Sequence, residues 1–137
     1  MEGKVRAVVV DSNIFIALFN QDDTLHERAV ALWQEFRDDQ GVLLYTSNFV
    51  LAEVLTVLRL RVSRTAAQSF GAIVFGQTRA LHVIYIDHDL MKQSYEIFST
   101  VPIKDFSFVD ASLVALSKAF QAELVTFDKH LRAWSKR

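Results

Sequence analysis

Four short apolar runs, separated by segments of helical periodicity, constrain this chain more than any other feature. They are Val-Arg-Ala-Val-Val-Val at 5–10, Val-Leu-Leu-Tyr-Thr at 42–46, His-Val-Ile-Tyr-Ile at 82–86 and Glu-Leu-Val-Thr at 123–126. Runs this short and this rich in β-branched residues read as buried strands. Between them, Leu25, Ala29, Leu32, Trp33 and Phe36 form one helical stripe, and Ala67, Phe70, Val74 and Phe75 another. Strands that alternate with helices pack as a parallel sheet covered on both faces. The expected fold is therefore α/β, an α/β/α sandwich with a central, mainly parallel sheet.

Cap chemistry sets the expected boundaries. Asp11-Ser12-Asn13 opens a helix over 14–19, and Thr24 opens another that runs to about 38, with Gly41 just beyond it. Ser47 or Asn48 caps the helix carrying Glu53, and Ser63 caps one running to about 78. A helix follows from Asp87 to about Thr100, and Ser107 caps the next, to about Phe120. A short helix near 129–135 closes the chain. The chain shows no linker, repeat or low-complexity stretch, and 137 residues suit one domain spanning 1–137.

Composition removes several classes of function. With no Cys there is no disulfide framework, thiolate metal site or Cys nucleophile. The opening Met-Glu-Gly-Lys-Val-Arg lacks a long apolar stretch, so no signal peptide is expected, and no run approaches the roughly 18 apolar residues of a membrane span. A cytoplasmic protein without a membrane partner is the expectation. Fifteen basic against sixteen acidic residues give a net charge of −1. Nucleic acid, if bound, is then held by local basic patches rather than by a global positive field.

The apolar runs deliver carboxylates that their surroundings do not explain. Val-Val-Val at 8–10 leads into Asp11, and Leu-Val-Thr-Phe at 124–127 leads into Asp128. Glu53 is the only charge within Asn48-Phe-Val-Leu-Ala-Glu-Val-Leu-Thr-Val-Leu, and Asp110 sits in Phe-Ser-Phe-Val-Asp-Ala-Ser-Leu-Val-Ala-Leu. Charges are rarely buried without a partner. In open α/β sheets ligands bind beyond the carboxyl ends of the strands, where Asp11 and Asp128 fall if the strands are parallel. Carboxylates gathered there repel unless a cation joins them, and an oxygen-only donor set suits Mg²⁺ or Mn²⁺. Such an ion polarises a phosphate and acidifies an attacking water, which points to phosphodiester chemistry.

Each acid also has a plainer role open to it. Asp11 can cap a helix, Asp110 can complement a helix dipole, and Asp128 can be a turn residue. Glu53 resists such a role, because Ala52, Val54 and Leu55 flank it. Singly the signals are weak, and acids at two strand exits make the joint one stronger.

The ordered set Val-Val-Val-Asp11-Ser-Asn, Thr46-Ser-Asn-Phe-Val-Leu-Ala-Glu53-Val-Leu, Phe108-Val-Asp110-Ala-Ser-Leu-Val-Ala-Leu and Val125-Thr-Phe-Asp128-Lys-His resembles a PIN domain. It is similar in particular to the small VapC-like toxins of prokaryotic toxin–antitoxin pairs, across essentially the whole chain. The resemblance implies a Mg²⁺- or Mn²⁺-dependent endoribonuclease that leaves 5′-phosphate and 3′-hydroxyl ends. It places the metal site at Asp11, Glu53, Asp110 and Asp128, with Asp128 at the family's most variable position. Ser12 occupies the place of an assisting hydroxyl, and Asp105 resembles an acid often found before the third motif, its plain alternative being an ordinary loop residue. RNA as substrate, a cognate antitoxin and a homodimer are further implications.

Two rivals remain. A haloacid-dehalogenase-type phosphatase also begins with Asp after a strand, but its second Asp would fall where Asn13 stands. A non-catalytic PIN-like RNA-binding or regulatory module has no use for clustered acids facing phosphates. Phosphate contact is expected from one of two basic groups, Arg59, Arg61 and Arg64, or Lys129, Arg132, Lys136 and Arg137. His130 reads as a solvent-exposed turn residue, and exposed members of Phe70, Phe75, Phe98, Phe106, Phe108 and Phe120 as a surface for a partner.

Overall fold

The structure, a computed structural model, describes residues 5–76 and 81–136. It contains β1 (Arg6–Val10), α1 (Ser12–Leu18), α2 (His26–Asp38), β2 (Val42–Ser47) and α3 (Asn48–Val57). A π-helical turn (Leu58–Val62) leads to α4 (Arg64–Phe75), β3 (His82–Ile84), α5 (His88–Thr100), α6 (Phe108–Ala119), β4 (Glu123–Val125) and α7 (Lys129–Ser135). All three strand pairings are parallel, in the order β3-β2-β1-β4.

That order determines where the helices lie. The crossovers β1 to β2 and β2 to β3 step in one direction along the sheet, and β3 to β4 returns past β1. Right-handed crossovers therefore put α1 to α4 on one face and α5 and α6 on the other. The contacts agree, since α1 packs on α2 and α3, whereas α5 lies along α6, which touches β1 and β4. With both faces covered, Val8, Val9 and Val10 are all fully buried, which is why β1 reads as an unbroken apolar run. The strand order reverses between β1 and β4, which run parallel, so the crevice at their carboxyl ends is the topological switch point.

Most expected caps are present. Ser47 accepts from the Val50 amide at 3.2 Å, Ser63 from Ala66 at 3.0 Å and Asp87 from Leu90 at 2.9 Å. Asn48 does not cap; its Oδ1 accepts from the Ile86 amide at 2.8 Å and ties the exit of β3 to the start of α3. Thr24 does not cap α2 either. Asp23 forms a turn instead, accepting from the Leu25 amide at 2.8 Å, and α2 starts at His26 without a side-chain cap. Two strands end early, at Ile84 rather than 86 and at Val125 rather than 126, because they lie at the two edges of the sheet, where a neighbour on one side only supports the ladder. α4 ends at Phe75, and the expected stretch to 78 runs into 77–80, outside the described residues.

The π-helical turn has no forewarning in the sequence. It carries Arg59, Leu60 and Arg61 outward while Leu58 stays fully buried. The core forms on both faces, and Leu113 and Leu116 of α6 are sealed completely. Leu116→Ala should cost about 2–5 kcal/mol of unfolding free energy in urea titrations. Leu60→Ala, at a side chain 77% exposed, should stay within about 0.5 kcal/mol of the parent.

Candidate metal centre

Asp11 follows β1 directly and is only 4% exposed. Its Oδ1 accepts from the Ser12 amide at 2.6 Å and from Ser12 Oγ at 3.2 Å, and its Oδ2 accepts from Thr126 Oγ1 at 2.7 Å. Thr126 directly follows β4 and also accepts, from Asn13 Nδ2 and from the Asp128 amide, each at 3.0 Å. Asn13 completes the link by accepting from the Phe127 amide at 3.2 Å. The Asp11 amide donates to Val125 O at 3.0 Å, extending the β1–β4 pairing by one bond. Two strand exits are thereby locked together around one buried carboxylate.

The other acids approach on separate elements. Asp110 is half-buried in the first turn of α6, in a capping box. Its Oδ2 accepts from the Ser107 amide and Ser107 Oγ accepts from its own amide, both at 3.0 Å. Asp128 caps α7, with Oδ1 accepting from the amides of His130 and Leu131 at 2.9 and 3.1 Å. Glu53 lies half-buried on α3, beside an exposed Ala52, so its flank of the helix is more open than its apolar neighbours imply. It makes no hydrogen bond or ion pair among the described residues.

The four acids act on one another electrostatically. Burial pushes the Asp11 carboxyl up from 3.8 to about 6, with Asp110 and Glu53 adding to the rise and the bonds from Thr126 and Ser12 opposing it. Asp110 is raised too, by burial first, then by Asp128 and Glu53, against its bonds with Ser107. The one ion pair among the described residues, Arg6 with Glu123, lies elsewhere, so no Lys or Arg neutralises the group. No three His, Asp or Glu side chains among the described residues are drawn tightly enough to grip an ion as they stand. Asp110 and Asp128 each keep one oxygen uncommitted, which suits an ion that takes one or two carboxylates and keeps several waters.

Ser12 is buried, and its hydroxyl is spent on Asp11, so it orients that carboxylate. Asp105 stands exposed in the turn before α6, outside the group whose charges raise Asp11 and Asp110. His130 is exposed. Thr126 and Asn13 escaped the sequence analysis as site residues. The available signal was a hydroxyl ending a buried strand two positions before an acid, together with an Asn two positions after another.

A four-stranded parallel α/β sheet with acids gathered at its switch point defines a class, and the chain belongs to the PIN domain family, which matches residues 8–136. It is 32% identical over 114 residues to the 23S rRNA-specific endonuclease VapC20 of Mycobacterium tuberculosis, covering 81% of this chain and 80% of that protein. It is 26% identical over 123 residues to a VapC ribonuclease of Archaeoglobus fulgidus, covering 89% of this chain and 77% of the relative. The crystal structure of M. tuberculosis VapC20, a Sarcin-Ricin loop cleaving toxin, matches with a TM-score of 0.81 and 28% identity, over 93% of this chain and 94% of the other.

Between pH 3.8 and about 6 the native state holds a proton on Asp11 that the unfolded chain has released. Stability from this group therefore falls as pH rises through that window, by up to about 3 kcal/mol. In EDTA, Asp11→Asn should gain on the parent by this order between pH 4 and pH 7 in thermal melts. Thr126→Val removes the donor to Asp11 Oδ2 and should weaken Mn²⁺ binding about 10–100-fold by calorimetry.

Proposed function

We propose that this chain is a Mg²⁺- or Mn²⁺-dependent endoribonuclease, the toxin of a toxin–antitoxin pair, with Asp11, Glu53, Asp110 and Asp128 holding the metal. The observation that carries this reading is the gathering of buried and half-buried carboxylates at the switch point, with no Lys or Arg among the described residues paired to them; burial raises Asp11 and Asp110, and neighbouring acids add to it. Family membership and relatives named as ribonucleases supply the reaction class.

Each residue has a distinct task. Asp110 and Asp128 present the oxygens that their helix caps leave free. Asp11 is held in one orientation by Ser12 and Thr126, and Glu53 keeps its full acceptor capacity. Held by these residues, a divalent ion would supply acidification of an attacking water and charge stabilisation at the phosphate. An oxygen-only set without Cys matches a hard cation. Asp105 is left outside this set.

The alternatives weaken on specific grounds. Asn13 stands where a phosphatase would need its second Asp, and its amide is consumed by Thr126 and Phe127. A pure RNA-binding module would gain nothing from clustered carboxylates beside a phosphate backbone. The 23S rRNA specificity of the M. tuberculosis relative makes 23S rRNA the first substrate to offer.

With Mn²⁺ or Mg²⁺ the purified chain should cleave ribosomal RNA, and EDTA should stop it. Asp110→Asn should lower the rate by more than about 100-fold while the far-ultraviolet spectrum is retained. Cleavage that persists in both controls would exclude the acidic site as the catalyst.

A further inference from the structure

We infer that the cleft between α2, the outer edge of β4 and α7 is the subsite for the single-stranded RNA nucleotide next to the bond that is cut. This rests on the ribonuclease reading and adds the place where the substrate backbone is held. The cleft has a volume of about 410 Å³. Ile14, Leu32, Phe36 and Leu124 supply apolar walls, while Arg28, Arg132 and Lys136 supply positive charge.

Charge and continuity support this occupant. Arg6, a further cleft cation, is neutralised by Glu123 at 2.9 Å. Arg28, Arg132 and Lys136 have no carboxylate partner among the described residues. In a chain of net charge −1, three unpaired cations around one concavity are a local attraction for phosphate. The cleft also adjoins the acids, since Thr126 lines it while its hydroxyl bonds Asp11. Phe127 lines it as well, one residue before Asp128. None of the four acids lines the cleft itself; Thr126 and Phe127 are the wall it shares with Asp11 and Asp128.

The chemistry of the walls fits a nucleotide better than a bare anion. β4 is an edge strand, so its outward peptide groups have no ladder partner among the described residues and can meet a base edge. The Arg28 guanidinium lies 5.0 Å from the Phe127 ring centroid, a planar pair of the kind on which unstacked RNA bases rest. The rival basic group is less well placed. Arg59 and Arg61 lie on the π-helical turn, and neither lines the cleft. Arg137 falls outside the described residues.

Arg132 is unsuitable for a test, because it donates to Thr126 O at 2.9 Å and its loss would disturb the site itself. Arg28→Gln/Lys136→Gln is the informative variant, with Lys136→Gln alone as a safeguard, since the Lys136 side chain makes no bond among the described residues. Binding of a labelled single-stranded RNA oligonucleotide is measured by anisotropy in EDTA over a salt series, and cleavage separately with Mn²⁺. The double variant should bind about tenfold more weakly, and its slope of log affinity against log salt should shrink by about 1.4, or about 0.7 per cation removed. Lys136→Gln should lose half of that slope. Arg59→Gln/Arg61→Gln should match the parent. An unchanged slope in the double variant, an equal loss in the control pair, or no RNA binding by the parent overturns the subsite. A parent that binds through the cleft yet cuts nothing leaves the cleft as an RNA-binding site and removes the ribonuclease reading, and with it the place of the cleft beside a cut bond. Unchanged binding in a chain that cuts does the reverse.

Discussion

The hydrogen bond from Thr126 to Asp11 is the contact on which the site depends. It joins the exits of β1 and β4, which are neighbours in the sheet although 115 residues separate the two side chains. Parallel pairing brings Val10 opposite Val125, and the next peptide along, Asp11 to Val125, extends the ladder. Asn13 and the Asp128 amide then converge on the same threonine oxygen. The switch point is thus both a topological feature and a bonded one. The long crossover through β2, α3, β3, α5 and α6 exists between two strands that must end at the same place.

The acids show how a fold carries like charges close together. Asp11 caps α1, Asp110 closes a capping box at α6, and Asp128 caps α7. Each carboxylate therefore faces the amide groups of a helix start, where partial positive charge offsets part of the repulsion. At Asp110 and Asp128 the cap occupies one oxygen and leaves the other free, so the cap is compatible with the proposed metal role. Burial raises the Asp11 and Asp110 carboxyls despite those bonds, and the neighbouring acids add to the rise. Glu53, without a cap to make, is the acid whose presence the helix itself does not require.

The sequence discloses the strand exits and the caps because both have local causes. A valine run ending in Asp, or a Ser three residues before an Asp, carries its meaning within a few positions. Residues whose partners are remote are harder to find. Thr126 looks like the end of a strand until Asp11 is seen opposite it, and Asn13 looks like part of a helix start. The missing Thr24 cap has the opposite origin, since a neighbouring Asp23 turn competes locally for the same amides. Of the two basic groups, position along the chain could not separate one from the other. The cleft between α2, β4 and α7 separates them in the fold, because Arg28, Arg132 and Lys136 line it and Arg59 and Arg61 do not.

The carboxylates arranged by the β1–β4 latch are the proposed site of one cation. The most direct measurement is the anomalous difference density of crystals soaked in Mn²⁺. A peak contacting oxygens of Asp110 or Asp128 and adjoining Asp11 is the result expected from the uncommitted oxygens and the raised carboxyl pKa values. A fully occupied Mn²⁺ elsewhere, with Asp11, Glu53, Asp110 and Asp128 unliganded, would contradict it.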